Sequence, residues 1–487
     1  MERKRYFILL ALIVGLLALR PVHLRADFPA YHLYSQEGAQ FTDEGFYTSA
    51  ALNHFTLGHA YIPGGWNPGV FMPVWPLLVG LLFRLTGISA VAARGLAVLC
   101  TWASALLAYR ITRQYRSATF AVITVFLFAA NALGFFYSRL AILEPAFVML
   151  LLLAIYVAGT VRRGSYGLAV LTGLIFTAMT LTKTTGPFVL PAVLYPIWAN
   201  NRGNRSDRWK LVGSAAGTAV LLLECVRLFW SHHFLQDSRM ILGINPLWQL
   251  ENSPLRLLRF FLRGTWVDPV LFPLAVTAFV AALARLRFLW RDTLFTTAFL
   301  WETGYAAFIV FHYDGPPRYF VAMIVPTVWM ALIFMEWLWR RQRHAASILG
   351  ACVAISVLWN LSLIGNYLIH PRYRLVEAAE QIKQIVEGQS SSPFQPLVIG
   401  RGADELSLLS GGLPTMDSDG AMPLADKLDV YRPGWFMDWS GDVPLRMETV
   451  RSKREVVPKR TFTVLSSSRF ATITLYRLLP LRQTQLR

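Results

Sequence analysis

Asp43 and Glu44 stand side by side in the stretch 41–55, FTDEGFYTSAALNHF, shortly after the first strongly apolar segment of the chain. Adjacent acids near a membrane surface are commonly solvated loop charges. A carboxylate there can also act as a general base, taking a hydroxyl's proton as the hydroxyl attacks. Phe46, Tyr47, Ala50, Ala51 and His54 follow at helical spacing, so the pair sits where a helix begins. Such an anion cannot help a phosphate leave. That half of a reaction calls for cations or a metal to neutralise developing charge.

Cations and a further acid occur elsewhere at the ends of apolar runs. Arg139 precedes Glu144-Pro145 in SRLAILEP. A carboxylate inside a membrane is costly and usually faces a cavity, so Glu144 is a site candidate; the alternatives are a pair with Arg139 or a cap on the helix start. Lys183 interrupts an apolar run in TLTKTTGPF, either as a phosphate ligand or as a lysine snorkelling to the interface. Arg318-Tyr319 in HYDGPPRYF opens another apolar run. The arginine could fork onto a phosphate with the tyrosine orienting it, or the two could simply anchor the helix at the interface. Arg256, Arg259 and Arg263 recur at helical spacing and point to lipid headgroups. His54, His59, His232, His233 and His312 show no zinc spacing, although His232-His233 could meet a distant carboxylate. No protein-bound metal or cofactor is expected, and a divalent cation that helps a phosphate leave stays open. There is no phosphate-binding glycine loop, serine nucleophile elbow or CxxC.

The elements that must position these residues follow from composition. A 487-residue chain that is 55% hydrophobic and 15% charged, with mean hydropathy +0.44, must hide apolar surface in lipid. The net charge of +18 does not indicate nucleic acid, because the basic residues form short clusters between apolar runs. Cys100, Cys225 and Cys352 lie within apolar runs and build no disulfide framework. MERKR before an apolar run resembles a signal peptide, but no small-x-small cleavage site follows, so an uncleaved first span is expected.

Apolar segments fall near 6–22, 70–86, 90–109, 118–136, 140–160, 167–182, 185–199, 211–230, 269–286, 293–311, 319–338 and 346–368. If all of them cross, the basic loop Arg110–Arg116 falls outside, against the positive-inside bias. Segment 70–86, with two prolines, central Arg84 and a terminal glycine, reads better as a helix lying in the interface. Removing it leaves about eleven crossings with every basic cluster on one side. The N-terminus is then cytoplasmic and the tail external. The external side holds a long first loop (about 21–89), a second (231–268), a short one (312–318) and the tail from about 370. In that tail 375–388 reads as an amphipathic helix, Pro396–Gly400 as a strand and ADELSLLSG as a helix. TFTVLSSS and FATITLYRL read as a hairpin. The expected fold class is thus mainly α: a polytopic membrane domain over 1–369, with in-plane helices in its first loop, and a small external α/β domain over 370–487.

Taken in order, these features resemble a known group. The acid pair followed by Tyr47 resembles the DE-x-x-Y signature of the protein O-mannosyltransferase and lipid A aminoarabinose transferase group, GT-C fold enzymes that use polyprenyl-phosphate sugars. The likeness continues through Leu82–Gly87, Ala93-Arg94, Arg139 with Glu144, Thr182–Gly186 with Pro191, and Arg318-Tyr319 with Pro326. Where relatives acting on lipid A often carry Lys-Pro-Pro, this chain has Trp66-Asn67-Pro68-Gly69. The tail carries nothing like the β-trefoil insert of the eukaryotic enzymes.

The resemblance implies a bacterial inner-membrane glycosyltransferase that moves one sugar, with inversion, from an undecaprenyl-phosphate donor to an external hydroxyl on lipid, protein or glycan. It implies Asp43 as base, Glu44 as the neighbour shaping the site, and Glu144 as a second acid. Arg318, Lys183 and Arg139 become candidates for the lipid phosphate, with Tyr319 and Tyr47 beside the substrate. A transporter or flippase is the competing reading. It calls for charges near span midpoints and similar halves, whereas Glu224 and Arg227 are the main such charges and the halves show no symmetry.

Overall fold

The computed structural model describes residues 2–29, 42–203, 205–229, 253–284, 290–311, 316–389, 394–465 and 471–481. Phe41, His232, His233, His312 and the 466–470 part of the expected hairpin lie outside the described residues. The described part of each apolar segment is mainly helical. Among the described residues five stretches are long and apolar enough to cross a membrane: Ala90–Tyr115, Leu143–Thr160, Arg205–Phe229, Pro317–Arg341 and Arg343–Glu387. Shorter apolar helices are Tyr6–Ala18, Val74–Thr86, Ala118–Ala130, Tyr166–Thr182 and Leu271–Ala284. The expected span 118–136 is interrupted at Asn131, whose side chain accepts from the Gly134 amide at 2.7 Å and starts a new helix, Ala132–Tyr137.

The chain divides into two compact units. The first comprises Met1–Val22, Ala97–Arg139 and Leu143–Ile369. The second comprises His23–Leu96, Leu140–Ile142 and His370–Arg487.

The first unit is helical, and one buried polar cluster in it is centred on Asp268. Asp268 accepts from the Val270 and Leu271 amides at 2.8 Å each, capping the helix Leu271–Ala284. Its other oxygen accepts from Ser356 (2.8 Å) and Asn360 (3.1 Å). Asn360 in turn accepts from the Ala132 amide at 2.8 Å. Without such partners each of these groups would cost about 1–3 kcal/mol to bury. All three cysteines are unbridged.

The second unit is built on a five-stranded mixed sheet in the order β2-β1-β3-β5-β4. Its strands are β1 (Gln395–Gly400), β2 (Thr415–Asp417), β3 (Pro433–Trp439), β4 (Glu455–Thr463) and β5 (Thr472–Leu479). The parallel β1, β2 and β3 are joined by the helices Ala403–Leu409 and Leu424–Tyr431, and β4 and β5 pair antiparallel. The helix at 375–388 and the strand at Pro396–Gly400 appear where periodicity placed them, and β5 falls on the expected FATITLYRL; β4 runs over Glu455–Thr463 and begins six residues before the expected TFTVLSSS. β2, β3 and the helices 424–431 and 444–453 were not anticipated, being short or broken by glycine and proline.

Part of the first loop belongs to this same unit. Ile62 joins Leu397, Ile399, Met416, Leu428, Phe436, Val450 and Leu478 in its core. Met422 N–H bonds Gly64 O at 2.9 Å. Asp27 caps the helix Arg374–Glu387, accepting from Leu375 and Val376 amides at 2.9 and 3.2 Å. Asn67, from the tetrapeptide that departs from the lipid A enzymes, bonds the backbone of Ile62 and Gly65. The helix Val74–Thr86 is 13 residues long, about 20 Å at 1.5 Å per residue and short of the ~30 Å hydrocarbon core. Trp75, Val79 and Phe83 form its buried stripe, and Leu77, Leu81 and Leu85 its exposed one.

Candidate active site

The helix Glu44–Leu57 begins at Asp43, whose backbone is left-handed at φ 61°, ψ 16°. That conformation costs a non-glycine residue about 1–3 kcal/mol and concentrates at functional positions. Asp43 N-caps the helix without using its carboxylate for the purpose. Its carbonyl accepts from Tyr47 N at 3.0 Å, and the residue is only half-buried.

Glu44, the next residue, is fully buried. Arg94 binds it with a fork, Nε to Oε1 at 2.8 Å and Nη2 to Oε2 at 2.6 Å. The Ala141 amide donates to Oε1 at 2.7 Å, and Thr42 Oγ1 lies 3.1 Å from Oε2. Arg94 is held in turn by the carbonyls of Leu24 and Ala26 at 2.7 and 2.9 Å. The two neighbouring acids are therefore sorted: Glu44 is locked in the protein interior, and Asp43 is half-buried in a left-handed turn. Tyr47 is buried one turn further on, and Phe46 stacks edge-on against both Tyr47 and Trp66.

Glu405, from the helix Ala403–Leu409, reaches the same turn. Its Oε2 accepts from Gly45 N at 2.9 Å, and its Oε1 lies 2.7 Å from Thr42 Oγ1. Burial, and then the charge of Glu44, push its carboxyl up to about 8. Gly45 is required here, because a Cβ on it would fall 2.1 Å from Glu405 N.

In the first unit a separate charged centre gathers around Glu144, in the first turn of Leu143–Thr160. Lys183 Nζ donates to Glu144 Oε1 at 2.6 Å and lies 4.3 Å from the centre of the Tyr319 ring. Arg318 Nε is 3.9 Å from the same carboxylate oxygen, and its guanidinium carbon is 5.3 Å from that ring. Lys183 is presented because the helix Tyr166–Thr182 stops at it and a turn of 3-10 helix, Gly186–Val189, follows. Arg318 and Tyr319 are presented by the 3-10 segment Pro317–Met323. Three buried oxygens, Glu144 Oε2, Thr185 Oγ1 and Tyr305 Oη, have no hydrogen-bond partner among the described residues.

Of the candidates, then, Glu144, Lys183, Arg318 and Tyr319 come together, and Asp43, Glu44 and Tyr47 share one helix start. Glu144 takes Lys183 as its close ion-pair partner. Arg139 bonds the Val22 carbonyl and lies over the rings of Phe135 and Tyr367, at 5.1 and 4.9 Å. Buried Arg20 also lies over Phe135, at 5.5 Å. Sequence reasoning assigned no role to Arg94, Thr42 or Glu405. Arg94 carried a signal, a lone arginine at the start of an apolar run; Glu405 carried none. Arg256, Arg259 and Arg263 lie on the amphipathic helix Ser253–Gly264, which exposes Leu255, Leu257, Leu258, Phe261 and Leu262. Among the described residues no three His, Cys, Asp or Glu side chains gather as a metal site.

The chain has the GT-C fold, shared with solved membrane proteins to which it is similar. Residues 67–230 match the family model described as dolichyl-phosphate-mannose-protein mannosyltransferase. Among solved structures the chain is similar to ArnT from Cupriavidus metallidurans bound to undecaprenyl phosphate. The identity there is 14% and the TM-score 0.57, over 98% of this chain and 98% of that one. It is also similar to the oligosaccharyltransferase AglB from Archaeoglobus fulgidus, in complex with an inhibitory peptide and a dolichol-phosphate. That match has 12% identity and a TM-score of 0.53, over 94% of this chain and 73% of that chain. No curated protein matches by sequence.

Proposed function

We propose that the protein is a membrane glycosyltransferase that moves one sugar from a polyprenyl-phosphate donor to a hydroxyl acceptor on the external face, with inversion at the anomeric carbon. The observation that carries this reading is the sorting of the acid pair. Every Glu44 oxygen is engaged by Arg94, Ala141 or Thr42, while Asp43 stands half-exposed in a strained turn that its own carboxylate does not cap.

Asp43 takes the acceptor proton as the acceptor oxygen bonds to the anomeric carbon. The bond from that carbon to the phosphate oxygen breaks, and its electron pair leaves with the polyprenyl phosphate. Arg318 and Lys183 are assigned to that phosphate, with Tyr319 orienting it. One carboxylate, Glu144, against these two cations leaves one net positive charge for an anion. Arg139 is the weaker candidate, since its contacts are structural ones. The acceptor class is lipid, protein or glycan. ArnT and AglB, solved with undecaprenyl phosphate and dolichol-phosphate, support the donor class.

The same reading places the chain in a bacterial inner membrane with about eleven crossings, a cytoplasmic N-terminus and an external domain over 370–487. It follows from the positive-inside bias. A periplasm-dependent phosphatase fused after Arg487 is expected to be active; a silent phosphatase with a bright cytoplasmic reporter contradicts this orientation.

The function is tested with purified protein, a panel of polyprenyl-phosphate sugars and membrane extract as acceptor. Release of free polyprenyl phosphate from one donor supports the reading and names the sugar. No release from any donor by well-folded protein, together with transport of a labelled lipid across proteoliposomes, would replace it with the transporter reading.

A further inference from the structure

We propose that Glu405 is a positioning residue for Asp43, a proton-bearing clamp that holds the Thr42–Gly45 turn in its left-handed form. The inference rests on the reading of Asp43 as base. Thr42 and Gly45, one residue before Asp43 and two after it, both meet the same carboxyl group. Gly45 donates its amide to Glu405 Oε2 at 2.9 Å, and Thr42 Oγ1 stands 2.7 Å from Glu405 Oε1.

Counting protons then fixes the arrangement. Thr42 has one hydroxyl proton, yet its oxygen lies within hydrogen-bond distance of two carboxyl groups, Glu405 Oε1 and Glu44 Oε2. It can donate to one and must accept from the other. Glu44 receives donors from Arg94 on both oxygens and from Ala141, which fit an ionised carboxylate. The acid proton therefore resides on Glu405 Oε1, donating to Thr42 Oγ1, which donates onward to Glu44. The charged groups facing Glu405 are Glu44 from the Glu44–Leu57 helix and Arg94 from the Ala90–Tyr115 helix, with Asp404 beside it on its own helix and Asp417 of β2 bonded to the Gly402 amide at that helix's start. Lys383, from the Arg374–Glu387 helix, bonds the carbonyls of Ser410 and Gly411 beyond the far end of that helix. Burial and the Glu44 charge raise the Glu405 carboxyl to about 8.

Loss of the proton breaks the relay, because two carboxylates then compete for one hydroxyl hydrogen in a buried site. The residues flanking Asp43 lose their anchor, and its φ of 61° loses the contacts that sustain it. Displacement of a catalytic group by about 1 Å can cost about 100-fold in rate. Turnover is therefore expected to fall as pH rises through about 8.

The experiment compares full-length wild type, Asp43→Asn, Glu405→Gln and Glu405→Ala in detergent, measuring polyprenyl phosphate release from the donor found active, between pH 6 and 9.5. Glutamine keeps an acceptor for Gly45 and a permanent donor for Thr42. It is expected to rescue most turnover at pH 7 and to remove the alkaline fall near pH 8. Alanine is expected to lower kcat at least about 10-fold, with little change in the donor KM. An alkaline fall unchanged in Glu405→Gln overturns the clamp, as does Glu405→Ala with wild-type kcat and pH profile. Should Glu405→Ala fail to fold, the glutamine profile decides alone. Turnover retained in Asp43→Asn overturns instead the assignment of the base, whatever the Glu405 variants do.

Discussion

Arg94 closes both oxygens of Glu44 with a single guanidinium, at 2.8 and 2.6 Å, and neither side chain is open to solvent. Removing one member of such a pair leaves an uncompensated buried charge. Arg94→Ala is expected to destabilise the protein by about 3–5 kcal/mol, read as a lower melting temperature in detergent. Arg94→Lys supplies charge without the fork and should recover only part of the loss. An unchanged melting temperature in Arg94→Ala would show that the pair does not hold the turn.

The same logic governs Glu144 and Lys183, 2.6 Å apart and both buried. Lys183→Gln strands the Glu144 charge and should cost about 3–5 kcal/mol. The double variant Glu144→Gln/Lys183→Gln should regain most of that stability and none of the turnover, since the cation assigned to the phosphate is still missing. Recovery of both would make the pair purely structural. A double-mutant cycle on melting temperature and on polyprenyl phosphate release separates the two.

Backbone contact at Gly45 leaves no room for a methyl group, because its Cβ would meet the Asp404–Glu405 peptide at 2.1 to 2.5 Å. Gly45→Ala must push the two helix starts apart. It is expected to lower kcat while the donor KM holds, since the proposed base Asp43 is displaced but the residues proposed for the phosphate are not.

Buried Asp404 and half-buried Asp417, at the carboxyl ends of β1 and β2, make the tail domain sensitive to pH. Burial first, then the charges of Asp404 and Asp419, raise the Asp417 carboxyl to about 7; burial raises Asp404 to about 6. A carboxyl whose folded value lies above its unfolded value binds its proton more tightly when folded. The stability it contributes is full below about pH 4 and is lost as pH rises through about 6 and 7. The melting temperature of the full chain should fall between about pH 4 and 7, and Asp417→Asn should flatten that fall. A fall of equal size in the variant would place the titration elsewhere.

Much of this architecture is legible in the sequence because apolar length, helical period and charge asymmetry are local signals. The amphipathic Arg374–Glu387 helix and the Thr472–Leu479 strand are read directly from their periods. The candidate site is legible only as a set of residue types. Asp43 and Glu44 look alike in sequence, and what separates them is Arg94 and Ala141 on one side and a left-handed φ on the other. Glu405 lies 360 residues from the amide it accepts, and Asp27 caps a helix 348 residues away. No periodicity carries pairings of that range. The break at Lys183 was hidden for a related reason: a snorkelling lysine and a buried ion-pair partner share the same flanking apolar residues, and only the position of Glu144 distinguishes them.

We propose Asp43 as the base that takes the acceptor proton. The most direct measurement is the single-turnover rate of polyprenyl phosphate release by Asp43→Asn beside wild type, at equal donor occupancy and matched melting temperature. The expected result is a rate lower by about 100-fold or more, since general base assistance contributes about 10²–10⁴, with donor affinity unchanged. A wild-type rate in Asp43→Asn would contradict the account and move the base to another carboxylate, Glu144 first.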